Sequence, residues 1–443
     1  MRISKYAIYE IMLFHLYIFV FLISFPYKNE WAATILLLLI VASLLFTEYL
    51  RTRMFVSPLF FWFGFWLSAI SIGRMKLGID VYPLYQEWSN KLLRIVVGNT
   101  VIFFWMYGIG EWVCSRFVRI GNADICEGPR GEVLADIVIC LLLTASAAYF
   151  LNVLYFGVIP QLTGDANSYR NEFVATRFYQ IVGLLRFSLA CVPLAYKSTR
   201  LKAKKTALVV LAALYLLEEM MTGWRGYTLQ SMILLATSFF ILSDVNNGKE
   251  RRRNFILAIG AVVLALVFIV YITVTRDGSF ETVSVRVKYA IDNFYLYVAP
   301  NFLNFQTCVE KVNPKGYLMY SLEAIWGFIV PAWENPLYIW DDVEFSIGTY
   351  NVCTYLLEPY CDLGVAGTFL WSFLIAFFSG LMFVQARVTK KVFSIIAVGI
   401  ANIAIFMLHN NFFLRSSSVL LWFMAGVAIS WVLQRRNPVK YEK

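Results

Sequence analysis

The sequence is poor in charged residues and in the residues that most soluble enzymes use. Only 15% of its 443 residues are Asp, Glu, Lys or Arg, whereas a soluble globular domain carries roughly 25%. Two histidines and seven cysteines without a Cys-x-x-Cys spacing argue against a zinc site. The sequence contains no P-loop, no Gly-rich dinucleotide fingerprint and no Ser/His/Asp arrangement, so those enzyme classes are excluded. Strands of alternating polarity, which an outer-membrane barrel requires, are also absent.

Long apolar runs take the place of these features. Hydrophobic residues make up 60% of the chain, and many runs are long enough for a helix to cross a hydrocarbon core of ~30 Å. The pattern predicts an all-α, polytopic integral membrane protein with about twelve transmembrane helices. The predicted spans are residues 8–25, 31–50, 57–73, 93–113, 134–157, 179–196, 206–221, 227–243, 255–275, 364–384, 392–408 and 417–433.

The distribution of positive charge predicts the orientation of these spans. With the N-terminus placed inside, the predicted inner segments hold 23 of the 38 Lys and Arg residues, and the outer loops other than the largest hold eight. Because short cytoplasmic loops are enriched in Lys and Arg, both termini are expected on the cytoplasmic side. The net charge of +10 is therefore assigned to orientation and to anionic lipid headgroups, and no nucleic-acid partner is expected.

One predicted outer segment is too long to be a simple connection. It follows residue 275 and is rich in aromatic residues, and loops longer than about 15 residues are usually functional when they are ordered. We therefore divide the chain into an N-terminal transmembrane bundle of about nine spans (residues 1–275), a large extracytoplasmic loop with interfacial helices (276–363), and a C-terminal bundle of about three spans with a short cytoplasmic tail (364–443).

Three cysteines fall within this loop: Cys308, Cys353 and Cys361. On the outer side of a membrane they would face an oxidising compartment. A disulfide between two of them and buried free thiols are the two interpretations that the sequence leaves open.

Four arginines lie on the predicted outer side, where cations are otherwise few: Arg170, Arg186, Arg225 and Arg276. Arg186 falls inside a predicted span, where a guanidinium needs a partner or a water-filled cavity. Pairing with nearby acids would explain each arginine alone, and the candidate partners are Glu172 or Asp165 for Arg170, Glu218 or Glu219 for Arg225, and Asp277 for Arg276. Together the four predict an anion site, because a guanidinium fork binds two phosphate oxygens at once. A lipid phosphate or pyrophosphate is the anion expected at this depth.

Candidates for a general base lie in two other outer segments. Glu358 and Asp362 stand where a predicted span begins, and His409 stands at the outer end of another. A carboxylate at a helix N-terminus is favoured electrostatically, so helix capping is the alternative to a catalytic role for Asp362. For His409 the alternative is a surface position without a catalytic role. Deprotonation of a sugar hydroxyl is the functional interpretation of all three. The pair Asp341-Asp342 is interpreted as a solvated acidic turn.

The order of these motifs resembles that of the bacterial oligosaccharide repeat-unit polymerases (Wzy-type O-antigen and capsule polymerases). Three segments carry the resemblance, which extends over the whole plan of the chain: the Thr-Gly-x-Arg-Gly turn at 222–226, the Tyr-Arg-x-Glu segment at 169–172, and the run at 354–367, which is similar to the family's Tyr-x-Asp-Phe-Gly-x-x-Gly segment. The related O-antigen ligases carry a His-Asn pair just ahead of the last segment. Residues 348–353 contain no histidine here, which favours a polymerase.

The resemblance implies a GT-C-like polymerase/ligase architecture in the cytoplasmic (inner) membrane of a bacterium. A growing glycan on undecaprenyl pyrophosphate would be transferred to a lipid-linked repeat unit, with the four outer arginines binding the pyrophosphate and without a cofactor or metal. Its partners would be undecaprenyl-pyrophosphate-linked glycans, membrane lipids, a chain-length regulator and a flippase. The alternatives are an O-antigen ligase-type transferase and a lipid-linked oligosaccharide flippase or transporter. The remaining implied site residues are the base candidates Asp362, Glu358 and His409, and the sugar contacts Tyr169, Tyr360 and Arg415.

Overall fold

The computed structural model describes most of the chain. The described residues are 5–25, 30–74, 78–79, 82–83, 88–117, 129–163, 166–244, 247–250, 252–257, 260, 267, 298–315, 318–329, 353–407 and 417–435. Within these ranges the fold is helical, apart from a two-residue antiparallel ladder in which Gly78 pairs with Pro83 and Ile79 with Tyr82. The all-α part of the predicted fold class is therefore confirmed for the described residues.

The chain divides into two compact units. Unit 1 comprises Met1–Phe117, Ile291–Leu381 and Ala401–Ser417, and unit 2 comprises Val118–Ala290, Met382–Ile400 and Ser418–Lys443. The predicted division into 1–275, 276–363 and 364–443 follows membrane position and not chain contacts, so it stays a prediction.

The helices of the first half of the chain are α1 to α11. They are α1 Lys5–Ser24, α2 Glu30–Thr52, α3 Pro58–Trp62, α4 Ser68–Gly73, α5 Asn90–Phe117, α6 Pro129–Phe156, α7 Ala166–Ala175, α8 Arg177–Leu185, α9 Ser188–Ser198, α10 Lys202–Met221 and α11 Arg225–Leu242. A single π-helical turn, Phe63–Leu67, joins α3 to α4, a 3-10 turn covers Pro160–Leu162, and the two strands are β1 Gly78–Ile79 and β2 Tyr82–Pro83. Among the described residues of the second half, the helices with defined bounds are α12 Ala299–Lys311, α13 Glu323–Ile329, α14 Leu357–Thr389, α15 Val392–Phe406 and α16 Ser417–Arg435.

Among the described residues, five helices are long and apolar enough to cross a membrane: Lys5–Ser24, Trp31–Thr52, Asn90–Phe117, Pro129–Phe156 and Leu357–Thr389. The pair α8–α9, bent by 46° at its break, would make a sixth if it is one span. Helices also occupy the other predicted spans, except that most of 255–275 lies outside the described residues. The membrane character of the chain is thus supported by length and composition, while the count of about twelve spans, the large loop and the orientation stay predictions.

The core of unit 1 is built from aromatic side chains. The rings of Trp62 and Phe103 stack at 4.7 Å, and those of Phe14 and Phe104 stack at 4.0 Å. The Trp66 indole donates a hydrogen bond of 3.1 Å to Thr100 Oγ1, which satisfies its buried N–H group. The aromatic side chains of α1, α3 and α5 therefore pack against one another.

Glycines allow α5 and α14 to touch backbone to backbone within unit 1. A Cβ atom on Gly110 would collide with the carbonyl oxygen of Phe377, and one on Gly380 would collide with the carbonyl oxygen of Tyr107. Small residues let membrane helices approach in this way. The contact holds the part of α14 that follows Gly364 against α5.

A buried ionic cluster joins α1, α2 and α5 at their predicted inner ends. Arg51 Nε lies 3.1 Å from Glu10 Oε2 and 2.6 Å from Glu48 Oε2, and Arg51 Nη1 lies 2.6 Å from Glu111 Oε2. The Ser57 hydroxyl also donates to Glu48. The Arg51 guanidinium thus contacts three carboxyl groups. These contacts compensate the free-energy cost of burying charged groups.

Candidate functional site

Three of the four predicted outer arginines lie among the described residues of unit 2. Arg170 is on α7, Arg186 is at the break between α8 and α9, and Arg225 is the first residue of α11. Arg276, the fourth, lies outside the described residues. The candidate site is built from the first three and the side chains around them.

The break between α8 and α9 positions Arg186. Thr176 caps the start of α8 by accepting a hydrogen bond of 3.2 Å from Tyr179 N. At the other end, Arg186 N bonds to the oxygen of Gly183 and Leu189 N bonds to the oxygen of Arg186, so the backbone tightens to i→i−3 bonds. The break turns the long Arg186 side chain toward α10 and α11.

Arg186 forms a buried ion pair with Glu219. Its Nη2 lies 2.8 Å and its Nε 3.2 Å from Glu219 Oε1, and its Nη1 donates to Gln230 Oε1 at 2.9 Å. The Tyr179 hydroxyl donates to the other carboxylate oxygen, Glu219 Oε2, at 3.0 Å. Arg186 is 3% exposed and Glu219 is fully buried. All three guanidinium nitrogens of Arg186 are therefore engaged within the protein, which meets the need of a buried cation for a partner.

Aromatic rings extend this ion pair into a continuous stack. The guanidinium carbon of Arg186 lies 4.5 Å from the centre of the Tyr227 ring and 5.8 Å from that of Trp422. Tyr227 stacks on Trp224 at 5.4 Å, and the guanidinium carbon of Arg170 lies 4.9 Å from the Trp224 ring. We call these five residues the arginine–aromatic stack. Each contact between a guanidinium and a ring is an attractive cation–π interaction.

The turn at residues 222–226 places Trp224 in this stack. Thr222 Oγ1 donates to Glu219 O at 2.7 Å and accepts from Trp224 N at 3.2 Å, which closes the end of α10. Gly223 has φ +74, and a Cβ there would lie 3.1 Å from Ala166 Cβ. Both the left-handed backbone and the close approach of α7 require glycine. The Thr-Gly-x-Arg-Gly motif therefore brings α7, which carries Arg170, against the start of α11.

One acid that sequence distance assigned to Arg225 lies against a different arginine. Glu219, one of the acids considered for Arg225, pairs with Arg186. Glu219 and Gln230 were missed as partners of Arg186, although an acid one turn before the end of an apolar helix is itself a signal, because it also needs compensation. Tyr169, a predicted sugar contact, is 40% exposed on α7 and meets Phe156 edge to face.

A second acid of α10 is buried next to this network. The Glu218 carboxylate lies near the Ser146 hydroxyl. Neither of its oxygens has a hydrogen-bond partner at ordinary length among the described residues. The sequence offered Glu218 only as a partner for Arg225. Its burial in unit 2 adds a carboxyl group that the sequence did not mark as part of the site.

In unit 1, Asp362 holds a turn of the preceding loop. Its Oδ1 accepts from Met319 N at 3.0 Å and Tyr320 N at 3.1 Å, and its Oδ2 accepts from Ser321 N at 2.7 Å. Asp362 is fully buried. Both oxygens are therefore occupied by backbone amides, so the carboxylate caps this turn.

The segment that resembles the Tyr-x-Asp-Phe-Gly-x-x-Gly motif forms a corner in unit 1. The Tyr360 hydroxyl donates to Val309 O at 3.1 Å and accepts from Lys91 Nζ at 3.2 Å. Gly364 has φ +64 and separates the first turns of α14 from its long remainder, and a Cβ on Gly367 would collide with the Pro359 carbonyl oxygen. Tyr360, Gly364 and Gly367 thus each have a structural role at this corner.

The other predicted site residues of unit 1 are placed only in part. Glu358 is buried on the first turn of α14, whereas His409 and Arg415 lie outside the described residues. Within the described ranges, no group of three or more His, Cys, Asp and Glu side chains has the arrangement of a metal site. The roles of these residues stay predictions.

Comparisons of the chain with protein-family models, with curated proteins and with solved structures give no match. The resemblance to repeat-unit polymerases therefore depends on the motifs and their order alone.

Proposed function

We propose that the chain is a membrane glycosyltransferase that polymerises undecaprenyl-pyrophosphate-linked oligosaccharide repeat units into a surface polysaccharide, which is an O-antigen, a capsule or an exopolysaccharide. The observation that carries the proposal is the clustering in unit 2, where the Thr-Gly-x-Arg-Gly and Tyr-Arg-x-Glu motifs meet through the contact of Arg170 with Trp224. Two short motifs, 50 residues or more apart in the sequence, contribute to one cationic and aromatic surface. That surface has the chemistry that a lipid pyrophosphate needs.

In this proposal Arg170 and Arg225 bind the pyrophosphate, and Arg186 positions the stack. Arg170 is partly exposed on α7, and Arg225 is partly exposed at the N-terminus of α11, where the helix dipole also favours an anion. Arg186 was predicted from the sequence to bind the anion as well. Because Glu219 and Gln230 already engage its nitrogens, we assign it to holding Tyr227 and, through it, Trp224.

The proposed reaction is a displacement at the anomeric carbon of the growing glycan. A hydroxyl oxygen of the acceptor sugar forms the new bond, the bond to the pyrophosphate oxygen breaks, and the hydroxyl proton passes to a general base. The arginines stabilise the charge that develops on the leaving pyrophosphate. Since the oxygens of Asp362 are occupied by backbone amides, the proposal gives the base role to Glu358 or His409.

The test is a comparison of arginine variants in a deletion strain that is complemented with each of them. We expect Arg170→Ala and Arg225→Ala to abolish long-chain polysaccharide, while lipid-linked single units accumulate on the outer face. Arg177→Ala is the matched control, because Arg177 is an exposed arginine next to the same segment, and it should leave chain length unchanged. Polysaccharide gels, with the membrane level of each variant measured in parallel, report the result.

Two other outcomes would each overturn the proposal in favour of an alternative. Single units that remain on the inner face of the membrane would identify a flippase or transporter. Long chains that form but never reach their final acceptor would identify a ligase-type transferase. Equal loss in the Arg177→Ala control would show that the effect is not specific to the stack.

A further inference from the structure

Two buried cysteines lie side by side in unit 1. Cys308 is on α12, Cys361 is on the first turns of α14, and their Sγ atoms are 3.6 Å apart. Cys308 is fully buried and Cys361 is 1% exposed. Cys353, the third cysteine of the same segment, instead directs its thiol to Asn301 O at 3.7 Å. The structure therefore selects one pair from the three cysteines of this region.

The backbones that carry this pair are tied together on both sides of it. Lys315 N donates to Cys361 O at 3.0 Å, and the Tyr360 hydroxyl donates to Val309 O at 3.1 Å. A disulfide requires the two sulfur atoms at about 2.05 Å, which rotation of the side chains can reach when the backbones already lie close together. The pair is thus held in place by contacts that do not involve sulfur.

We propose that Cys308 and Cys361 form a disulfide bond in the native protein. The oxidant is the disulfide of an extracytoplasmic thiol–disulfide oxidoreductase. One cysteine thiolate attacks that disulfide and gives a mixed disulfide, and the second cysteine thiolate then displaces the oxidant as a reduced dithiol. The chain loses two protons and two electrons, and the oxidant accepts both electrons. Because the folded pair is buried, this exchange takes place before α12 packs against α14.

The bond would fix the corner that carries Glu358 and Asp362. Cys361 is adjacent to Asp362, whose carboxylate holds the turn at Met319 to Ser321. A covalent link from α12 to this corner closes a chain segment of more than 50 residues. Such a link limits the unfolded conformations of the segment. The bond also requires this part of the chain to face an oxidising compartment, which agrees with the predicted outer position of residues 276–363.

The test is differential alkylation of the full-length wild-type protein in isolated membranes. The membranes are acid-quenched, denatured and treated with N-ethylmaleimide; disulfides are then reduced and labelled with a maleimide of different mass, and the peptides are identified by mass spectrometry. We expect the second label on Cys308 and Cys361, and the first label on Cys353 and Cys191. In a Cys308→Ser variant, Cys361 should change to the first label.

The wild-type measurement is sufficient to decide the question even if the variant folds poorly. The first label on both Cys308 and Cys361 would overturn the proposal, and so would a disulfide from either residue to Cys353. Polymerase activity is not part of this measurement, so its outcome is independent of the proposed function. When the protein is expressed in cells that lack the extracytoplasmic oxidant, Cys308 and Cys361 should both carry the first label.

Discussion

The ion pair between Arg186 and Glu219 is the most deeply buried salt bridge among the described residues of unit 2. Both side chains are buried, and each is hydrogen-bonded to a second polar group, Gln230 or Tyr179. Breaking a buried pair by removing one partner costs about 3–5 kcal/mol, because the other charge is left without compensation. Removing both charges at once avoids that penalty. A comparison of the single variants with the double variant therefore distinguishes a positioning role of Arg186 from direct binding of the substrate.

We expect Arg186→Met and Glu219→Gln, each made alone, to lower the free energy of unfolding by about 3–5 kcal/mol and to abolish long-chain polysaccharide. The double variant should recover most of the stability and part of the chain elongation, because neither member of the pair is left as a buried charge without its partner. Thermal unfolding of the purified proteins in detergent gives the first quantity, and polysaccharide gels give the second. Arg177→Met is the control for the removal of an exposed charge.

A double variant that folds normally but makes no long chains would contradict the positioning role. It would show that the Arg186 guanidinium itself contacts the pyrophosphate, as the sequence alone suggested. Loss of stability in the double variant equal to the sum of the two single losses would show that the ion pair is not the compensating contact.

At the scale of helices, the close contact of α5 with α14 depends on two glycines. Gly110 and Gly380 each lack the room for a Cβ atom, because a backbone carbonyl of the other helix occupies that space. Gly108, on the exposed face of the same α5 helix, has no atom within 4 Å of a Cβ placed there. The two positions differ in packing but share the helix, so they form a matched pair.

We expect Gly110→Ala to destabilise the protein by about 1–3 kcal/mol, because α5 and α14 must move apart. Gly108→Ala should leave stability unchanged or raise it by up to about 1 kcal/mol, because alanine favours the helix. Thermal unfolding in detergent measures both variants. Equal effects of the two substitutions would contradict the backbone contact.

The apolar runs predicted where the helices lie, because hydrophobic length is a local property of the sequence. The break at Arg186 and Phe187 and the corner at Gly364 were not predicted, since both depend on packing against other helices. The same limit applies to the site. The motifs indicated Arg170 and Arg225, but the pairing of Arg186 with Glu219 requires the break between α8 and α9 to lie against α10, which sequence distance does not show.

The base candidates illustrate this limit most clearly. Asp362 is one of two acids in its segment, and the sequence left both a base role and a capping role open for it. The amides that occupy it belong to residues 319–321, more than 40 positions earlier in the chain. The sequence suggested that Asp362 caps the start of its own helix. The folded structure shows that it caps the turn at residues 319–321 instead.

At the scale of the whole molecule, the central proposal is a membrane enzyme that acts on a lipid-linked donor without any soluble cofactor. The long apolar helices α1, α2, α5, α6 and α14 place the chain in a membrane by length and composition. Arg170, which belongs to the arginine–aromatic stack, and Arg225, which follows Trp224 of the stack in the sequence, supply the proposed site for the lipid pyrophosphate. The proposal therefore requires that the purified protein itself polymerises the glycan.

The most direct test is polymerisation by the purified full-length protein in detergent or liposomes, supplied only with the lipid-linked repeat unit from its host. We expect a ladder of products that differ by one repeat unit, together with release of undecaprenyl pyrophosphate in proportion to the bonds formed, and neither product with Arg225→Ala. A folded wild-type protein that forms no ladder, or that only moves the lipid-linked unit across the liposome membrane, would contradict the proposed function.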